Sequence, residues 1–322
     1  MANIRVGVLR GGPSSEYDVS LRTGASVLEH LPERYDRTDI LIDRDGKWHM
    51  NGLPVSPDRV FARHDVIVNA LHGVYGEDGK IQQMMDSRGV RYGGSGALAS
   101  AITMNKQLAK RHLAQAGIRT PHGVVFTRSM GETPTIAHAV YKKIAPGWFV
   151  KPVSGGSSIG VGRANTFPEL LIALDVAFSQ SDQIIVEELL RGREATCGVL
   201  EDFRGQGVYA TPPVEIISSA KGGFYSYEDK YCNEARVICP GNFTGKEKED
   251  LENIAKQVHV ALGLSHYSRT DFIINKRGIF VLETNSLPCL SEAASFSQAL
   301  SSIGCSHAQF LHHLVGLALA KK

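Results

Sequence analysis

The stretch Arg269–Leu290, RTDFIINKRGIFVLETNSLPCL, carries the reading on which the others depend. Two β-rich runs flank Asn275-Lys276-Arg277-Gly278, and a three-residue Lys276-Arg277-Gly278 turn with glycine in the left-handed position would close them into a hairpin. Counting back from that turn, Asn275 faces Ile279, Ile273 faces Val281, Asp271 faces Glu283 and Arg269 faces Asn285. All lie on one sheet face, because side chains alternate with period two. Phe272, Ile274, Phe280 and Leu282 take the other face. Two carboxylates set opposite each other repel, so either one holds a proton or a cation sits between them. Asn285 adds an amide oxygen, and carboxylates with an amide are hard ligands suited to Mg²⁺. Arg269 offers a guanidinium to a phosphate or a developing oxyanion. The alternative is a salt-bridged hairpin in which Arg269 neutralises both acids.

A chain of 322 residues is long for one core and suggests two or three domains. Hydrophobic content of 43%, 21% charged residues and 33 glycines describe a globular protein with glycine to spare for ligand loops. A net charge of +2 without a Lys/Arg block gives no reason to expect nucleic acid or an anionic membrane as partner. Five cysteines, an odd number without CxxC spacing, argue against a disulfide framework or a zinc knuckle and fit a reducing cytosol. Met1–Gly12 has too short an apolar run for a signal peptide, and no run approaches a membrane span. A cytoplasmic protein is expected.

In chain order, strand Ile4–Leu9 runs into Arg10-Gly11-Gly12, and a helix opens at Ser14, Ser15 and Glu16 and reaches about Leu31. Glu16 in a first helical turn reads at first as a structural residue complementing the helix dipole. No GxGxxG follows the strand, so a dinucleotide fingerprint is not supported. Strand Val66–Leu71 delivers His72-Gly73 and Gly76-Glu77-Asp78-Gly79 to its C-terminal end, where open α/β sheets bind ligands. A histidine there is either a local hydrogen-bonding residue or part of a site. Helix Ile81–Arg88, a short strand Val90–Tyr92 and Gly93-Gly94-Ser95-Gly96 close this unit, and a single helix is expected over Ala97–Ala116. Strands Gly123–Thr127 and Trp148–Lys151 lead to the glycine-rich loop 152–161, whose backbone N–H groups suit an anion, with Lys151 at its edge. Walker spacing is absent. A helix Pro168–Phe178 and strand Gln183–Val186 precede Glu187-Glu188-Leu189-Leu190. The polar, tyrosine-rich segment 218–236 reads as a lid. Helix Lys246–Leu262 precedes the hairpin; after Pro288 the chain is small and polar, then helical from about His307.

Together these pieces resemble the ATP-grasp fold and, within it, the D-alanine:D-alanine ligases of peptidoglycan precursor synthesis. The resemblance rests on GGPSSEYDVSL, LHGVYGEDGKIQ, YGGSG with SAITMNK, FVKPVSGGSSIGV, VEELLRGRE, FYSYEDKY, and RTDF with LETNSLP, and spans nearly the whole chain. It implies an α/β protein of three domains, 1–96, 97–183 and 184–322, with nucleotide held between the second and third. It also implies ATP and two Mg²⁺ ions, with Mn²⁺ as a substitute, and, because relatives often pair, a homodimer. Lys106 and Lys151 match lysines on the ATP phosphates, and Gly156, Ser157 and Ser158 match the loop that closes over them. Glu187 matches the adenine-binding acid, Glu188 to Leu190 the hinge that reads the base, and Glu194 the ribose acid; Phe224 and Lys230 belong to the lid side of the nucleotide. Asp271, Glu283 and Asn285 match the metal ligands. Glu16 matches the acid that receives the first D-alanine, which overturns its structural reading, with His72 beside it. Lys230 and Tyr231 match lid residues at the second substrate, and Glu16, Ser157 and Tyr231 would form a triad joining the domains. Arg269 and a backbone N–H near Cys289 would hold the tetrahedral oxyanion, with Ser291 at the acceptor.

The chain departs from the family pattern at two places. Asn105 stands where aspartate commonly precedes the lysine. Pro288-Cys289-Leu290-Ser291-Glu292-Ala293-Ala294-Ser295 stands where the family usually reads Pro-Gly-Met-Thr followed shortly by Ser-Leu. Three functions therefore compete: a D-alanine:D-alanine ligase with an altered acceptor subsite, an ATP-grasp ligase with another amine or hydroxy-acid acceptor, and a nucleotide-binding protein without turnover. The complete set Lys106, Lys151, Asp271, Glu283 and Asn285 speaks against the last. Tyr231 speaks for an amino-acid acceptor.

Overall fold

The computed structural model describes residues 3–156, 159–217 and 236–320. Alternation of buried aliphatics in the first strand, β1 (Ile4–Gly11), is lost because helices cover both faces, as in any parallel sheet interior. The first unit continues through α1 (Tyr17–His30), β2 (Tyr35–Ile42), β3 (Trp48–Met50), β4 (Leu53–Pro54), α2 (Pro57–Arg63), β5 (Val66–Asn69), α3 (Lys80–Asp86) and β6 (Tyr92–Gly93). Its strand order is β4-β3-β2-β1-β5-β6, with β1 parallel to both β2 and β5. The loops after β1 and β5 therefore leave the same sheet edge side by side. Ser14 ties them, donating from Oγ to the His72 carbonyl at 2.6 Å and accepting from the Glu16 N–H at 3.1 Å.

The helix expected over Ala97–Ala116 is two helices, α4 (Ala97–Met104) and α5 (Lys106–Gln115). Asn105 takes an extended conformation between them, caps α5 by accepting from the Leu108 N–H, and bridges to Ser154. Its side chain competes with the helical backbone, as asparagine does at caps. The break has a consequence: the Lys106 N–H donates to the Val153 carbonyl at 2.9 Å and its Nζ to the Gly155 carbonyl at 2.8 Å, so the lysine is fastened to the glycine loop.

The second sheet is antiparallel, order β7-β10-β8-β9, formed by β7 (Gly123–Thr127), β8 (Trp148–Pro152), β9 (Gly162–Ala164) and β10 (Gln183–Glu188), with α6 (Thr133–Lys143) and α7 (Phe167–Gln180) packed on it around Trp148 and Phe178. The glycine loop is the β8–β9 connection. In the third sheet β11 (Arg193–Phe203), β12 (Gln206–Ala210), β13 (Val214–Ile217), β14 (Arg236–Ile238), β15 (Tyr267–Asn275) and β16 (Gly278–Asn285) run β14-β13-β11-β15-β16, with β12 added on β11. Helix α8 (Gly245–Ala261) starts at a capping box of Thr244 and Glu247 and covers one face.

The hairpin keeps the expected facing of Asp271 with Glu283 and of Arg269 with Asn285, but not the expected turn. Asn275 pairs with Gly278, so only Lys276 and Arg277 lie in the turn, and the register then slips at a bulge between Asp271 and Phe272. One residue lost at the turn is recovered at the bulge, where Leu282 is the extra residue. The core face accordingly holds Phe272, Ile274 and Val281, not Phe280 and Leu282. Phe280 pairs with Ile273 and lies under the Arg277 guanidinium.

After Pro288 an unexpected helix, α9 (Ser295–Ser302), precedes the expected α10 (His307–Ala320). Phe296, Phe310, Leu311 and Leu314 from these helices join Val6, Val8, Val66 and Val68 in one core, so the C-terminal residues complete the first sheet across the domain limits read from the sequence. Residues 218–235 of the segment read as a lid, Phe224, Lys230 and Tyr231 among them, and Ser157 and Ser158 lie outside the described residues. No helix among the described residues is long and apolar enough to cross a membrane.

Replacing Asn105 with Ala should cost about 1 kcal/mol through the lost cap. Asp, which caps equally well, should cost little. Chemical denaturation of the two variants checks this, and near-equal midpoints would remove the capping role.

Candidate active site

Two cavities meet between the three sheets. The first lies between the glycine loop and β10 on one side and β11, β15 and β16 on the other. It is lined by Lys151, Glu187, Glu188, Leu190 and Glu194, with Asp271 on the opposite wall. Its floor is a buried charge cluster. Glu187 is 2% exposed and pairs with Lys151 Nζ at 2.8 Å and with the Lys110 ammonium. Burial works against the Glu187 carboxylate, yet the two lysines hold it below the usual range; burial pulls Lys110 down despite the acid beside it. Lys110 also donates to the Pro121 carbonyl at 2.7 Å. Sequence reading gave Lys110 no role; the signal was its position four residues after Lys106, on the same helix face. Arg163, which lines this cavity, was missed entirely, since a lone arginine on β9 carries no pattern. Glu188 receives the Arg277 guanidinium at 2.5 and 3.1 Å, which joins the hinge segment to the hairpin turn.

The second cavity, about 400 Å³, lies under the first sheet's strand ends. Glu16, His72, Glu77, Cys289 and Ser291 line it, together with Asn285. Glu16 precedes α1 but makes no side-chain cap bond, so its acid is not there for the helix end. It is 4% exposed, and its Oε1 would lie 2.4 Å from a Cβ at Gly156 and 2.9 Å from one at Gly73. Glycine at both positions leaves room for the carboxylate. One ligand atom from each of Glu16, His72 and Glu77 falls within 4.8 Å of the others. Glu77, which sequence reading quoted only as part of a loop, accepts from the Gly73 N–H at 2.7 Å; burial, with Glu16 adding to it, raises its carboxyl to about 7. His72 works against burial and is raised to about 9 by its bond to Cys289 and by Glu77 and Glu16.

Arg269 grips Asp271 with two hydrogen bonds, Nε to Oδ1 at 3.0 Å and a terminal nitrogen to Oδ2 at 3.1 Å, and the Thr196 hydroxyl donates to Oδ1 at 2.6 Å. The salt-bridged alternative thus describes Asp271 and Arg269. It does not dispose of a metal, because a carboxylate has about four lone-pair sites and three donors fill only three. With Glu283 opposite and Asn285 two residues on, the oxygen-only donor set fits Mg²⁺. Both cavities share the wall made by Lys106, Gly155, Gly156, Arg269, Glu283 and Ser295.

The model of the D-ala D-ala ligase C-terminus matches residues 112–316, and that of the D-ala D-ala ligase N-terminus matches residues 5–58. A D-alanine–D-alanine ligase of Syntrophobacter fumaroxidans is 34% identical, over 98% of each chain. One of Corynebacterium aurimucosum is 32% identical over 99% of this chain and 98% of its own. Among solved structures, the VanG D-Ala:D-Ser ligase of Enterococcus faecalis superposes with a TM-score of 0.86 at 28% identity, covering 98% of this chain and all (100%) of that one. The D-alanine–D-alanine ligase of Bacillus anthracis complexed with ATP gives 0.80 at 26% identity, with 98% and 97% covered.

Gly156→Ala should drive a methyl group against Glu16 and lower the affinity for a ligand whose cationic group lies against that acid, with little change in thermal unfolding. Steady-state kinetics and a melting curve on the same variant check it; unchanged Michaelis constants would mean that Glu16 can turn away without loss.

Proposed function

The chain belongs to the D-alanine–D-alanine ligase family, and we propose that its ATP-dependent joining of two D-alanines takes place at the wall shared by the two cavities. That shared wall is the observation that carries the reading, because a phosphoryl group must pass from nucleotide to amino acid without entering water. A carboxylate is a poor electrophile; moving the γ-phosphoryl group onto the first D-alanine makes an acylphosphate, in which phosphate becomes the leaving group. Transfer of this kind depends on positioning and electrostatics. Lys106, fastened to the glycine loop, and Lys151 supply positive charge. Glu187, Glu188, Leu190 and Glu194 receive the base and ribose. Asp271, Glu283 and Asn285 would hold Mg²⁺, two ions by family pattern with Mn²⁺ as a substitute; when bound, the metal would neutralise phosphate charge.

The ammonium of the first D-alanine goes to Glu16, with Glu77 and His72 beside it. Its charge would lower the Glu77 carboxyl from about 7, so binding should release a proton near neutral pH. The amine of the second D-alanine then attacks. Arg269 and a backbone N–H near Cys289 face the oxyanion. The acceptor carboxylate lies toward Ser291 and the first turn of α9, where Ala294 stands in place of the family's serine. Ser157, Ser158, Phe224, Lys230 and Tyr231 complete this assignment from the loop and the lid. The dipeptide serves peptidoglycan precursor synthesis. A cytoplasmic location and a homodimer are part of the same proposal.

Glu283→Gln should keep the fold, because it removes one charge from a repelling pair, while Mg²⁺-dependent turnover falls about a hundredfold or more. Near-normal turnover would sink the metal assignment. A lost hydrogen bond to a charged group costs about 1.5–3 kcal/mol, roughly tenfold to a hundredfold in affinity. Ala294→Ser should therefore lower the Michaelis constant for the second D-alanine and leave that for ATP alone; no change would show that Ser291 or Ser295 already holds the carboxylate.

A further inference from the structure

The amino-acid cavity holds a nucleophile that ligation does not use. Cys289 Sγ lies 3.3 Å from Thr23 Oγ1 and 3.3 Å from Ser291 Oγ, and it shares the Thr23 hydroxyl with the His72 ring. Thr23 Oγ1 is in turn 2.8 Å from His72 Nε2. A thiol, an imidazole and two hydroxyls from α1, the loop after β5 and the loop after β16 thus form one network, and the thiol and imidazole both line the 400 Å³ cavity.

We propose that Cys289, with His72 as its proton partner, is a modification site that captures soft electrophiles, hydroperoxides among them, when the cavity is empty, and that D-alanine in the cavity shields it. The charge balance agrees with the geometry. Burial opposes ionisation of the thiol, but His72 and the Ser291 and Thr23 hydroxyls bring it down to about 6, while His72 is raised to about 9. Cys197, Cys239 and Cys305 are instead pushed up by burial. In the reaction with a hydroperoxide, sulfur attacks the terminal oxygen, an S–O bond forms and the O–O bond breaks. The departing oxygen takes the His72 proton and leaves as water or an alcohol. Sulfur loses two electrons and the peroxide gains them, which leaves a sulfenic acid. The added group occupies the place where the acceptor amine must reach the acylphosphate, so modification stops ligation.

The shielding rests on the ligase reading; the reactivity does not. Full-length protein at about pH 7 is treated with iodoacetamide, and peptide mass spectrometry follows each cysteine with time. Cys289 should be alkylated roughly tenfold faster than Cys239, the gain in thiolate fraction exceeding the loss of intrinsic nucleophilicity. Saturating D-alanine should slow it roughly tenfold, and lost activity should track Cys289 labelling. Hydrogen peroxide should give a dimedone adduct at the same residue. His72→Asn should slow Cys289 labelling to the Cys239 rate, and Cys289→Gly should keep its own starting activity through the treatment. If the histidine variant does not fold, the wild-type rates decide. Labelling of Cys289 no faster than Cys239 overturns the proposal; fast labelling that D-alanine leaves unchanged overturns the shielding and, with it, the placing of D-alanine in this cavity.

Discussion

Opposed carboxylates on paired strands cannot be left uncompensated, and the facing of Asp271 with Glu283 is the constraint around which this molecule is built. Arg269 and Thr196 meet part of the charge on Asp271, and the remaining oxygen capacity is what a divalent cation would use. Because the two acids face the cleft, the opposite faces of β15 and β16 are free to pack Phe272, Ile274 and Val281 against α8 and its neighbours. The same hairpin therefore carries a core on one side and a reaction surface on the other. The bulge at Leu282 lets both assignments hold, since it resets the alternation between the acid pair and the turn.

Elsewhere the site repeats this pattern of buried charge held by its opposite. Lys151 and Lys110 hold Glu187 ionised where burial alone would protonate it. In the second cavity the two acids Glu16 and Glu77 favour a charged His72, and a charged His72 in turn favours the Cys289 thiolate. Such clusters are poor sources of stability, because desolvation offsets most of the attraction. They are well suited to binding, because an arriving ammonium or phosphate replaces charge that the protein already had to balance.

The cavities are held in place by interlocked packing. Leu314 of α10 sits where a Cβ at Gly93 would come within 2.9 Å, and Phe296 of α9 would lie 2.7 Å from one at Gly198. The first sheet thus shares its core with helices that follow the β15–β16 hairpin by sequence, which fixes the loops after β1 and β5 over residues 285–291.

Much of this was legible in the chain. Hydrophobic runs located most of the strands, Lys276 and Arg277 marked the hairpin, and the facing of Asp271 with Glu283 was reached by counting back from a turn one residue too long, an error that the bulge cancels. Family motifs pointed to Glu16, His72, Lys106, Lys151 and Glu187. Sequence could not show that Asn105 breaks a helix, because an asparagine inside a helical pattern and one capping the next helix read alike until Ser154 is there to pair with it. It could not place Glu77, Lys110 or Arg163, whose surroundings come from distant segments. Nor could it tell that two errors of register cancel across the hairpin, since the bulge at Leu282 leaves no local signature. The hairpin acids and the family motifs indicated which chemistry the chain can perform; which acids are paired, which are raised and which thiol is lowered was decided by tertiary contact, because a charge's energy depends on neighbours that the order of residues does not name.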